Sequence, residues 1–525
     1  MTHHGFESYF VEGEGLLAEA GEGRAPAAGP AAAPPPFRFS RMGPNGRGKQ
    51  LGEPNARRVA VAMTRGGGGF GRIPAGFTYL GQFVDHDLTF DRTTVSLGTN
   101  VSPAALLQAR SPSLDLDSLY GAGPGDPESA RFYSDGVHLK TGRTDAIGPP
   151  PLQARDNFDL PRVGGSGSKA KQRKANIPDL RNDENLAVAQ THLALIRFHN
   201  RVVDRLSSSL PDTVRFAQAR DIVTRHYQWM LRTDYLPRIV QPSIVNSVFN
   251  SGRKVFEVGA PPTDVPTMPI EFSVAAFRLG HSMVRATYNW NKIFDDGFGS
   301  LELLFTFSAT GGNLGGDLHL PSNWIADFRR LYDFKEAGHN NLGVPASKFN
   351  FAKAIDTRIV DPLRNLPPST FGGSGIPSGD PQRNLAFRNL TRARMVRLAT
   401  GQQMATFIKG KGVNFPRLTK AQIRDGKGGV VLDTLSDTQR AKVLKDTPLW
   451  FYILREAELN GGQLRGVGAR IVAETMHRAI EGSTASIVRD PAWRPSLGPN
   501  TTTFRMADLL FFAFEGKKTL LAPVG

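Results

Sequence analysis

From about residue 76 onward, apolar residues recur mostly at the spacing of one face of an α-helix. The clearest series predict helices over residues 186–203, directly after Asn185, and over 216–231, 271–285, 384–398 and 469–480. The alternation of apolar and polar residues that is typical of half-buried strands is scarce. The pattern therefore predicts a mainly α-helical fold with little β-structure.

The stretches between these series divide the chain. Residues 25–36 are rich in alanine and proline, and the prolines exclude both a buried strand and a stable helix. We expect a flexible N-terminal arm over residues 1–38 and one large domain over residues 39–525. Long irregular loops are expected at 96–178, 308–345 and 359–382, and such lengths suggest function or insertions.

Composition narrows the classes of function. Lysine and arginine total 64 against 48 aspartate and glutamate residues, a formal charge of +16 that favours small anions or polyanionic surfaces. No recognisable nucleic-acid-binding module accompanies this charge, so we expect no nucleic-acid partner. The chain has no cysteine, which excludes disulfides, thiolate nucleophiles and iron–sulfur clusters. Any metal must therefore be held by histidine, carboxylate or carbonyl groups.

Neither a membrane span nor a secretory signal is visible in the sequence. It contains no apolar run long enough to cross a bilayer. Its N-terminus lacks a basic stretch followed by an apolar one. We expect a monomer without a transmembrane segment, either cytoplasmic or exported by a non-classical route.

The segment 81–90 contains the first candidate site. Gln82 and His86 are four residues apart, so on a helix they lie one above the other on a single face. Asp85 and Asp87 flank that face, and such groups are rarely buried unless they are hydrogen-bonded or bound to a metal. One segment could therefore serve an active site and, behind it, a cation site. The plainer alternative is a polar helix end with a solvated histidine.

Two further motifs contain candidate functional residues. Arg181 and Glu184 are three residues apart and share a face at a helix start, although N-terminal capping also explains acidic residues there. In the motif Arg278-x-Gly280-His281, the missing side chain of the glycine lets a flat ligand approach the backbone beside the histidine. Taken alone, this second motif also fits a helix with one buried histidine.

The last two motifs are an amide–arginine pair and an oxygen-rich loop. Asn389 and Arg392 lie one helical turn apart, and a solvated basic helix face is the alternative for the arginine. In the segment 111–121, oxygen-bearing side chains stand at every second position from Ser111 to Asp117. That spacing suits Ca²⁺, which takes oxygen ligands, and it also fits a solvated turn.

These five motifs, in this order along the chain, resemble those of the animal-type haem peroxidases, the peroxidase–cyclooxygenase superfamily, in a bacterial-type member without disulfides. The resemblance implies a large single-domain helical haem peroxidase fold with haem b as cofactor. The implied residues of the peroxide side are His86 as acid–base catalyst, Arg181 as the stabilising cation and Gln82 at the halide or water position. Those of the other side and the haem edge are His281 as iron ligand, Asn389 as its hydrogen-bond acceptor, Asp85 and Glu184 as ester links, and Arg278 and Arg392 as propionate partners.

The resemblance also assigns the oxygen-rich loop to Ca²⁺ binding. Position by position, the implied calcium ligands are Asp87, Ser111, Ser113 through its carbonyl, Asp115 and Asp117. Asp117 stands where animal members usually carry serine.

The implied activity is reduction of hydrogen peroxide and, through a ferryl intermediate, oxidation of bromide, iodide, thiocyanate or phenols. Asn185 stands where the most strongly oxidising members carry methionine, which disfavours chloride. A fatty-acid oxygenase of the same superfamily is an alternative, disfavoured because Arg278 stands where cyclooxygenases carry a radical-forming tyrosine. Two other classes stay open: a metallohydrolase built on residues 85–87, and a catalytically silent, calcium-stabilised adhesion or scaffold module.

Overall fold

The structure, a computed structural model, describes residues 37–66, 68–93, 95–367, 376–430 and 432–525. Of the expected N-terminal arm, residues 1–36 lie outside the described residues, and so do residues 368–375 of the long loop expected at 359–382. The limits of the arm and of the domain therefore stay predictions.

Helices dominate the described part of the chain, which confirms the mainly α-helical prediction. The α-helices of that part are α1 Glu53–Met63, α2 Gly76–Leu88, α3 Asp117–Tyr120, α4 Lys169–Arg173, α5 Leu186–Val203, α6 Asp212–Met230, α7 Leu236–Ile239, α8 Pro242–Ser251, α9 Ile270–Ser273, α10 Gly280–Met283, α11 Leu301–Thr306, α12 Leu385–Met395, α13 Gly401–Gly410, α14 Lys420–Asp425, α15 Asp437–Lys445, α16 Leu449–Leu459, α17 Gly466–Glu481, α18 Met506–Ala513 and α19 Lys518–Leu521.

Strands are short and pair two by two. The parallel pair is β1 Phe39–Ser40 with β5 Met268–Pro269. The antiparallel pairs are β2 Phe70–Pro74 with β8 Phe351–Lys353, β3 Gly142–Arg143 with β4 Asp156–Asp159, and β6 Thr287–Tyr288 with β7 Gly299–Ser300. Within the described ranges these pairs tie loops together and form no larger sheet.

The two long helices after Asn185 form as the apolar spacing predicts. The side chain of Asn185 accepts the backbone N–H of Val188 at 3.0 Å and so starts α5. Helix α6 does not end at the predicted boundary, because a π-helical turn, Leu231–Tyr235, continues it into α7. Such turns are frequent at functional sites, and this one ends in a tyrosine that lines the cavity described below.

The single helix predicted over 271–285 is wrong. The chain instead forms α9, a 3₁₀-helix Ala276–Leu279, and α10. The break lies at Ala275, whose φ of −132° and ψ of −68° are not helical. It lets the rings of Phe272 and Phe277 stack with centroids 4.5 Å apart. Apolar spacing alone does not distinguish a continuous helix from such a folded-back segment.

Helices α12 and α17 overlap the predicted segments 384–398 and 469–480 but differ at one end. Helix α12 ends early because the chain reaches a positive φ of 48° at Arg397. Helix α17 begins at Gly466, where the buried carboxylate of Glu456 accepts the N–H groups of Val467 and Gly468 at 3.3 and 3.1 Å. Those N–H groups would otherwise lack a partner inside the helix.

The helix that contains His86 lies in the interior. Helix α2 packs against α5, α10 and a 3₁₀-helix, Leu180–Asp183. One cluster of buried apolar residues extends from Phe39 to Val524 and surrounds α2. Among the described residues, none of the helices combines the length and the apolar character that crossing a bilayer requires.

Candidate active site

Helix α2 carries three of the predicted site residues on the side that faces a cavity. Gly81 lets the helix approach its neighbours, because an ideal Cβ there would lie 2.4 Å from the hydroxyl oxygen of Tyr235. The helix ends at Thr89, whose backbone N–H and hydroxyl both donate to the carbonyl of Asp85, at 2.8 and 2.9 Å. The cavity-lining residues of α2 include Gln82, Asp85 and His86.

The imidazole of His86 is buried and uncharged at neutral pH. Its Nδ1 lies 2.9 Å from Oδ1 of Asn182, and a hydrogen bond to this oxygen forms when Nδ1 carries the proton, which leaves the Nε2 lone pair free. Burial and the nearby Arg181 guanidinium lower the pKa of His86 to about 3. A neutral imidazole with a free nitrogen beside a cavity has the properties of a general base.

Arg181 is held on several sides. Its Nε and Nη2 donate to the two oxygens of Asp179 at 3.0 and 2.7 Å. Nη2 also donates to the carbonyls of His86 and Thr89 at 3.1 and 2.8 Å. The ring of Phe90 lies 4.4 Å from the guanidinium carbon. Arg181 is therefore a fixed cation on the wall of the cavity that His86 lines.

Asp179 serves a second arginine as well. Arg110 Nη2 donates to Asp179 Oδ2 at 2.6 Å, and both side chains are buried. Burial acts to raise the pKa of Asp179, but the guanidiniums of Arg181 and Arg110 hold it well below its usual value. The sequence-based prediction missed both Asp179 and Arg110. The sequence did contain one indication of the role of Asp179, because this carboxylate lies two positions before the candidate arginine, Arg181.

Glu184, Gln82 and Asn185 form a polar network on the same wall. Gln82 Nε2 donates to Glu184 Oε2 at 3.3 Å, and Asn185 Nδ2 donates to Gln82 Oε1 at 2.9 Å. Burial raises the pKa of Glu184 to about 7 although Arg181 acts to lower it. Asn185 caps α5, so capping of that helix does not account for Asp183 and Glu184, whereas Asp179 caps the preceding 3₁₀-helix.

His281 lies in α10 and meets the side-chain amide of Asn389 from α12. The amide nitrogen Nδ2 lies 2.9 Å from Nδ1 of His281. The sequence-based prediction was that the side-chain oxygen of Asn389 accepts the Nδ1–H of His281. In the structure the side-chain nitrogen of Asn389 faces Nδ1 instead. A half-turn of the amide exchanges the two atoms, and only the oxygen can accept from a histidine that binds a metal through Nε2.

Two residues support this segment from other elements. The ring of Trp450 lies 6.5 Å from that of His281, and its indole N–H donates to the Arg278 carbonyl at 3.2 Å. Arg278 Nε donates to the Ser273 carbonyl at 2.8 Å, and its Nη1 lies 4.0 Å from Asp85 Oδ2. Arg278 therefore links the His281 segment to α2.

One cavity lies between α2 and α10, and both His86 and His281 line it. Its polar wall is formed by the groups on α2 and around Arg181. The apolar part of its lining includes Met283, Val284, Leu301, Phe305, Leu363, Leu366 and Leu385.

The lining suits a flat, largely apolar ring system with a metal at its centre. An ideal Cβ on Gly280 would meet no heavy atom within 4 Å, so the backbone beside His281 faces open space. His281 supplies an imidazole, the usual proximal ligand of haem iron in peroxidases. The residues present fit haem, with His281 as the iron ligand.

Arg392 lies apart from the main cavity. Its Nη2 donates to Asp91 Oδ2 at 2.5 Å. It lines a smaller neighbouring pocket together with Arg181 and Arg278. The structure thus groups the two predicted propionate partners, Arg278 and Arg392, at that pocket, and their role stays a prediction.

The predicted calcium ligands come together only in part. Asp87 is fully buried and accepts the hydroxyl and the N–H of Ser118 at 3.1 and 3.2 Å. Asp115 accepts the Ser483 hydroxyl at 2.5 Å, and Asp117 pairs with Arg220 at 3.3 Å. Each carboxylate thus has a partner within the protein.

The two predicted serine ligands also bond within the protein. The hydroxyl of Ser111 accepts the N–H of Ser113 at 3.2 Å, and the Ser113 hydroxyl donates to the Gly482 carbonyl at 3.2 Å. In the part of the chain that the structure describes, no group of three or more histidine, aspartate or glutamate residues is arranged to hold a metal ion. Residues 85–87 therefore do not form the cluster that a metallohydrolase would need.

Solved structures of other proteins share the fold of this chain. Peroxidase A from Dictyostelium discoideum matches with a TM-score of 0.56 and 16% sequence identity over 93% of this chain and 94% of that one. A fatty acid alpha-dioxygenase from Arabidopsis thaliana matches with a TM-score of 0.55 and 13% identity over 93% of this chain and 76% of that one. These likenesses show a shared helical fold.

The sequence match is more specific. Residues 88–309 match the family model described as animal haem peroxidase. Over these residues the chain is therefore similar to the animal haem peroxidases. The matched region includes Arg181, Glu184 and His281, whereas His86 lies just before it and Asn389 lies beyond it.

Three curated relatives illustrate the similarity. Thyroid peroxidase from Mus musculus is 27% identical over 225 residues, 38% of this chain and 23% of the relative. Heme peroxidase 2 from Caenorhabditis elegans is 27% identical over 190 residues, 35% of this chain and 25% of the relative. Peroxidase from Drosophila melanogaster is 26% identical over 315 residues, 57% of this chain and 41% of the relative. The chain spans about a quarter of the length of the first two relatives.

Proposed function

We propose that this protein is a haem-dependent peroxidase that reduces hydrogen peroxide and oxidises small anionic or phenolic electron donors. The observation that carries the proposal is a single cavity lined by His86, His281 and Arg181, with the two histidines on neighbouring helices. The animal haem peroxidase match over residues 88–309 supports it, because that region includes two of the three residues.

Haem bound in this cavity would supply the redox-active iron. His281 would hold the iron through Nε2, with the amide of Asn389 orienting the ring through Nδ1. The ring of Trp450 packs edge-on against the imidazole, with 79° between the two ring planes.

On the opposite wall, His86 moves the proton. Nε2 would accept a proton from one oxygen of the peroxide and return it to the other, which would leave as water. Arg181 stabilises the negative charge that develops as the O–O bond breaks, because its guanidinium is always charged and is already fixed in place. Gln82, held by Glu184 and Asn185, completes the polar wall of the site.

Anionic donors suit the electrostatics of this chain. The formal charge is +16, and Arg181 and Arg278 both line the cavity. Positive charge around a cleft raises the local concentration of small anions such as bromide, iodide or thiocyanate.

The proposal includes ester bonds from Asp85 and Glu184 to the haem edge. Both carboxyl groups lie on the cavity wall, and burial raises the pKa of Glu184 to about 7. If the esters form, haem stays with the protein during acid–butanone extraction after peroxide treatment. Complete extraction from the wild-type protein would show that neither bond forms.

Calcium binding beside Asp87 is a separate part of the proposal. Burial and the charge of Asp117 raise the pKa of Asp87 to about 7, and burial with Asp117 also raises that of Asp115. A divalent cation would relieve this repulsion among buried carboxylates. Equilibrium dialysis after chelator treatment should show stoichiometric Ca²⁺ uptake, weakened by Asp117→Asn. No uptake would remove calcium from the proposal and leave the haem site unaffected.

The decisive experiment is the absorption spectrum of the haem-loaded protein, followed by peroxide-dependent dye oxidation. Wild-type protein should show a Soret band and oxidise the dye, whereas His281→Ala should lose normal haem binding. A wild-type protein without a Soret band would overturn the proposal. Haem binding without peroxide turnover would instead favour a silent module, and oxygen uptake with fatty acids would favour an oxygenase.

A further inference from the structure

His86 has a hydrogen-bond partner that no motif predicted, the amide of Asn182. The side chain of Asn182 is fully buried, and its Oδ1 lies 2.9 Å from His86 Nδ1. We propose that Asn182 is a positioning residue that fixes the tautomer of His86, with the proton on Nδ1 and the base at Nε2. This inference rests on the proposed function, in which His86 moves the proton of the peroxide.

The backbone around Asn182 is fixed by ion pairs on both sides. The preceding residue, Arg181, pairs with Asp179, and the following residue, Asp183, pairs with Arg162 at 2.5 Å. The N–H of Asn182 donates to the Asp179 carbonyl at 3.0 Å. These contacts fix the backbone of Asn182, and its side-chain amide faces His86 in the structure without a ligand.

Among the described residues, the side-chain amide of Asn182 has a hydrogen-bond partner in His86 and in no other residue. Within the described ranges, its Nδ2 is buried without a hydrogen-bond partner, and its Oδ1 bonds only to His86. Leaving a buried polar group without a partner is costly in stability. The interaction that the asparagine makes at this position is the hydrogen bond between its Oδ1 and Nδ1 of His86.

The hydrogen-bond partner at Nδ1 of His86 is a neutral amide, although charged groups surround the ring. The charged groups that face His86 are Arg181 and Asp179 from the 3₁₀ segment, Arg278 from the His281 segment, and Asp85 and Glu184 along the cavity wall. Among the described residues, Arg181 donates to Asp179 and to backbone carbonyls, Glu184 accepts from Gln82, and Nδ1 of His86 is bonded to Asn182.

The acceptor at Nδ1 determines what Nε2 can do. A neutral imidazole carries one N–H, and an acceptor beside Nδ1 keeps it there, which leaves the Nε2 lone pair for a proton. Without that acceptor the two tautomers compete, and the form with a proton on Nε2 cannot act as a base. When Nε2 takes the proton, the Nδ1–H bond to Asn182 persists, so one geometry serves both the base step and the acid step.

The test uses haem-loaded protein, reduced and saturated with carbon monoxide. An N–H donor beside the bound carbon monoxide oxygen lowers the C–O stretching frequency, whereas a nitrogen lone pair raises it. Asn182→Leu removes the acceptor and should add a lower-frequency band from the tautomer with a proton on Nε2. Asn182→Asp keeps an acceptor and, at alkaline pH, should keep the wild-type band. Asn176→Leu, outside the cavity in the segment that leads to Asn182, is the matched control and should also keep it.

Reaction of the resting protein with hydrogen peroxide gives the second measurement. Asn182→Leu should slow it roughly 10- to 100-fold, the usual cost of losing a residue that orients a functional histidine. An unchanged infrared band or an unchanged peroxide rate in Asn182→Leu would overturn the inference.

If Asn182→Leu fails to bind haem, the infrared band of Asn182→Asp at alkaline pH tests the inference. A wild-type band supports the inference, whereas a new higher-frequency band would show that in the wild type Nδ2, not Oδ1, faces the ring, and would overturn it. A haem-loaded wild type that does not react with peroxide would refute the proposed function, and the infrared comparison would still decide the role of Asn182.

Discussion

The carboxylate of Asp179 holds the guanidinium of Arg181 through two parallel hydrogen bonds, from Nε to Oδ1 at 3.0 Å and from Nη2 to Oδ2 at 2.7 Å. Two parallel bonds fix the plane of the guanidinium as well as its position. The side chains are 12% and 1% exposed, so water does little to weaken the pair. The cation beside His86 is thus aimed by a carboxylate outside the predicted site.

Asp179→Asn should therefore impair both stability and peroxide reactivity. The substitution leaves Arg110 and Arg181 buried without their shared anion, and breaking such a pair costs about 3–5 kcal/mol. The released Arg181 should also slow the reaction with peroxide by roughly 10- to 100-fold. Urea denaturation and stopped-flow absorbance measure the two effects.

Asp156→Asn is the control for that prediction. Asp156 pairs with Arg143 at 3.4 Å on the surface, where its side chain is 71% exposed. Exposed pairs contribute about 0–1 kcal/mol, so both measurements should match the wild type. Equal behaviour of the two variants would contradict the role of Asp179.

Asn389→Asp should lower the reduction potential of the bound iron. A carboxylate 2.9 Å from Nδ1 of His281 makes the imidazole more anionic and favours the ferric state. Asn389→Leu removes the partner and should shift the potential in the opposite direction. Spectroelectrochemical titration measures both, and identical potentials in the three proteins would exclude contact between Asn389 and the ligand histidine.

His192 makes folding stability depend on pH. Its ring is fully buried, and neither ring nitrogen has a hydrogen-bond partner within the described residues. Burial lowers the pKa of His192 from 6.5 to about 3. In the unfolded chain His192 becomes protonated below about pH 6.5, whereas in the folded chain it stays neutral down to about pH 3. The free energy of unfolding therefore falls as the pH falls from about 6.5 to about 3.

His192→Leu should remove this part of the pH dependence. Between neutral pH and about pH 5, the loss of unfolding free energy should shrink by about 2 kcal/mol, because one pKa unit corresponds to about 1.4 kcal/mol. Urea denaturation at the two pH values provides the comparison. The same slope in both proteins would mean that His192 is not buried in its neutral form.

Gly81→Ala should destabilise the protein by about 1–3 kcal/mol, the usual cost of overpacking. The new Cβ would lie 2.4 Å from the hydroxyl oxygen of Tyr235. Tyr235→Phe removes that oxygen and should restore part of the loss in the double variant. Gly410→Ala, at the end of α13 where no heavy atom lies within 4 Å, should change stability by less than about 1 kcal/mol. Equal stability of Gly81→Ala and Gly410→Ala in urea would contradict this contact.

The sequence was sufficient where the relevant residues are close together in the chain. Gln82 and His86 share a face because they lie one turn apart, and both line the cavity. Apolar spacing likewise predicted α5, and Asn185 was the correct boundary because its side chain caps the helix that follows.

The sequence was insufficient where tertiary packing decides. The apolar periodicity predicted one helix over residues 271–285. In the structure the segment breaks at Ala275, and Phe272 stacks on Phe277. The partners of the candidate catalytic groups were missed for the same reason: Arg110 and Trp450 lie far along the chain from Arg181 and His281. Asn182 is adjacent to Arg181, yet nothing in its sequence context indicates that it faces His86.

The folded-back segment around His281 has a consequence for the order of assembly during synthesis. The proposed iron ligand, His281, lies in a helix of four residues, which is too short to persist alone. The residues that contact it, Asn389 and Trp450, come from the last third of the chain. A nascent chain that has emerged only to residue 309 already contains both histidines but lacks the groups that steady the second one. We therefore expect stable binding of haem only after most of the polypeptide has left the ribosome.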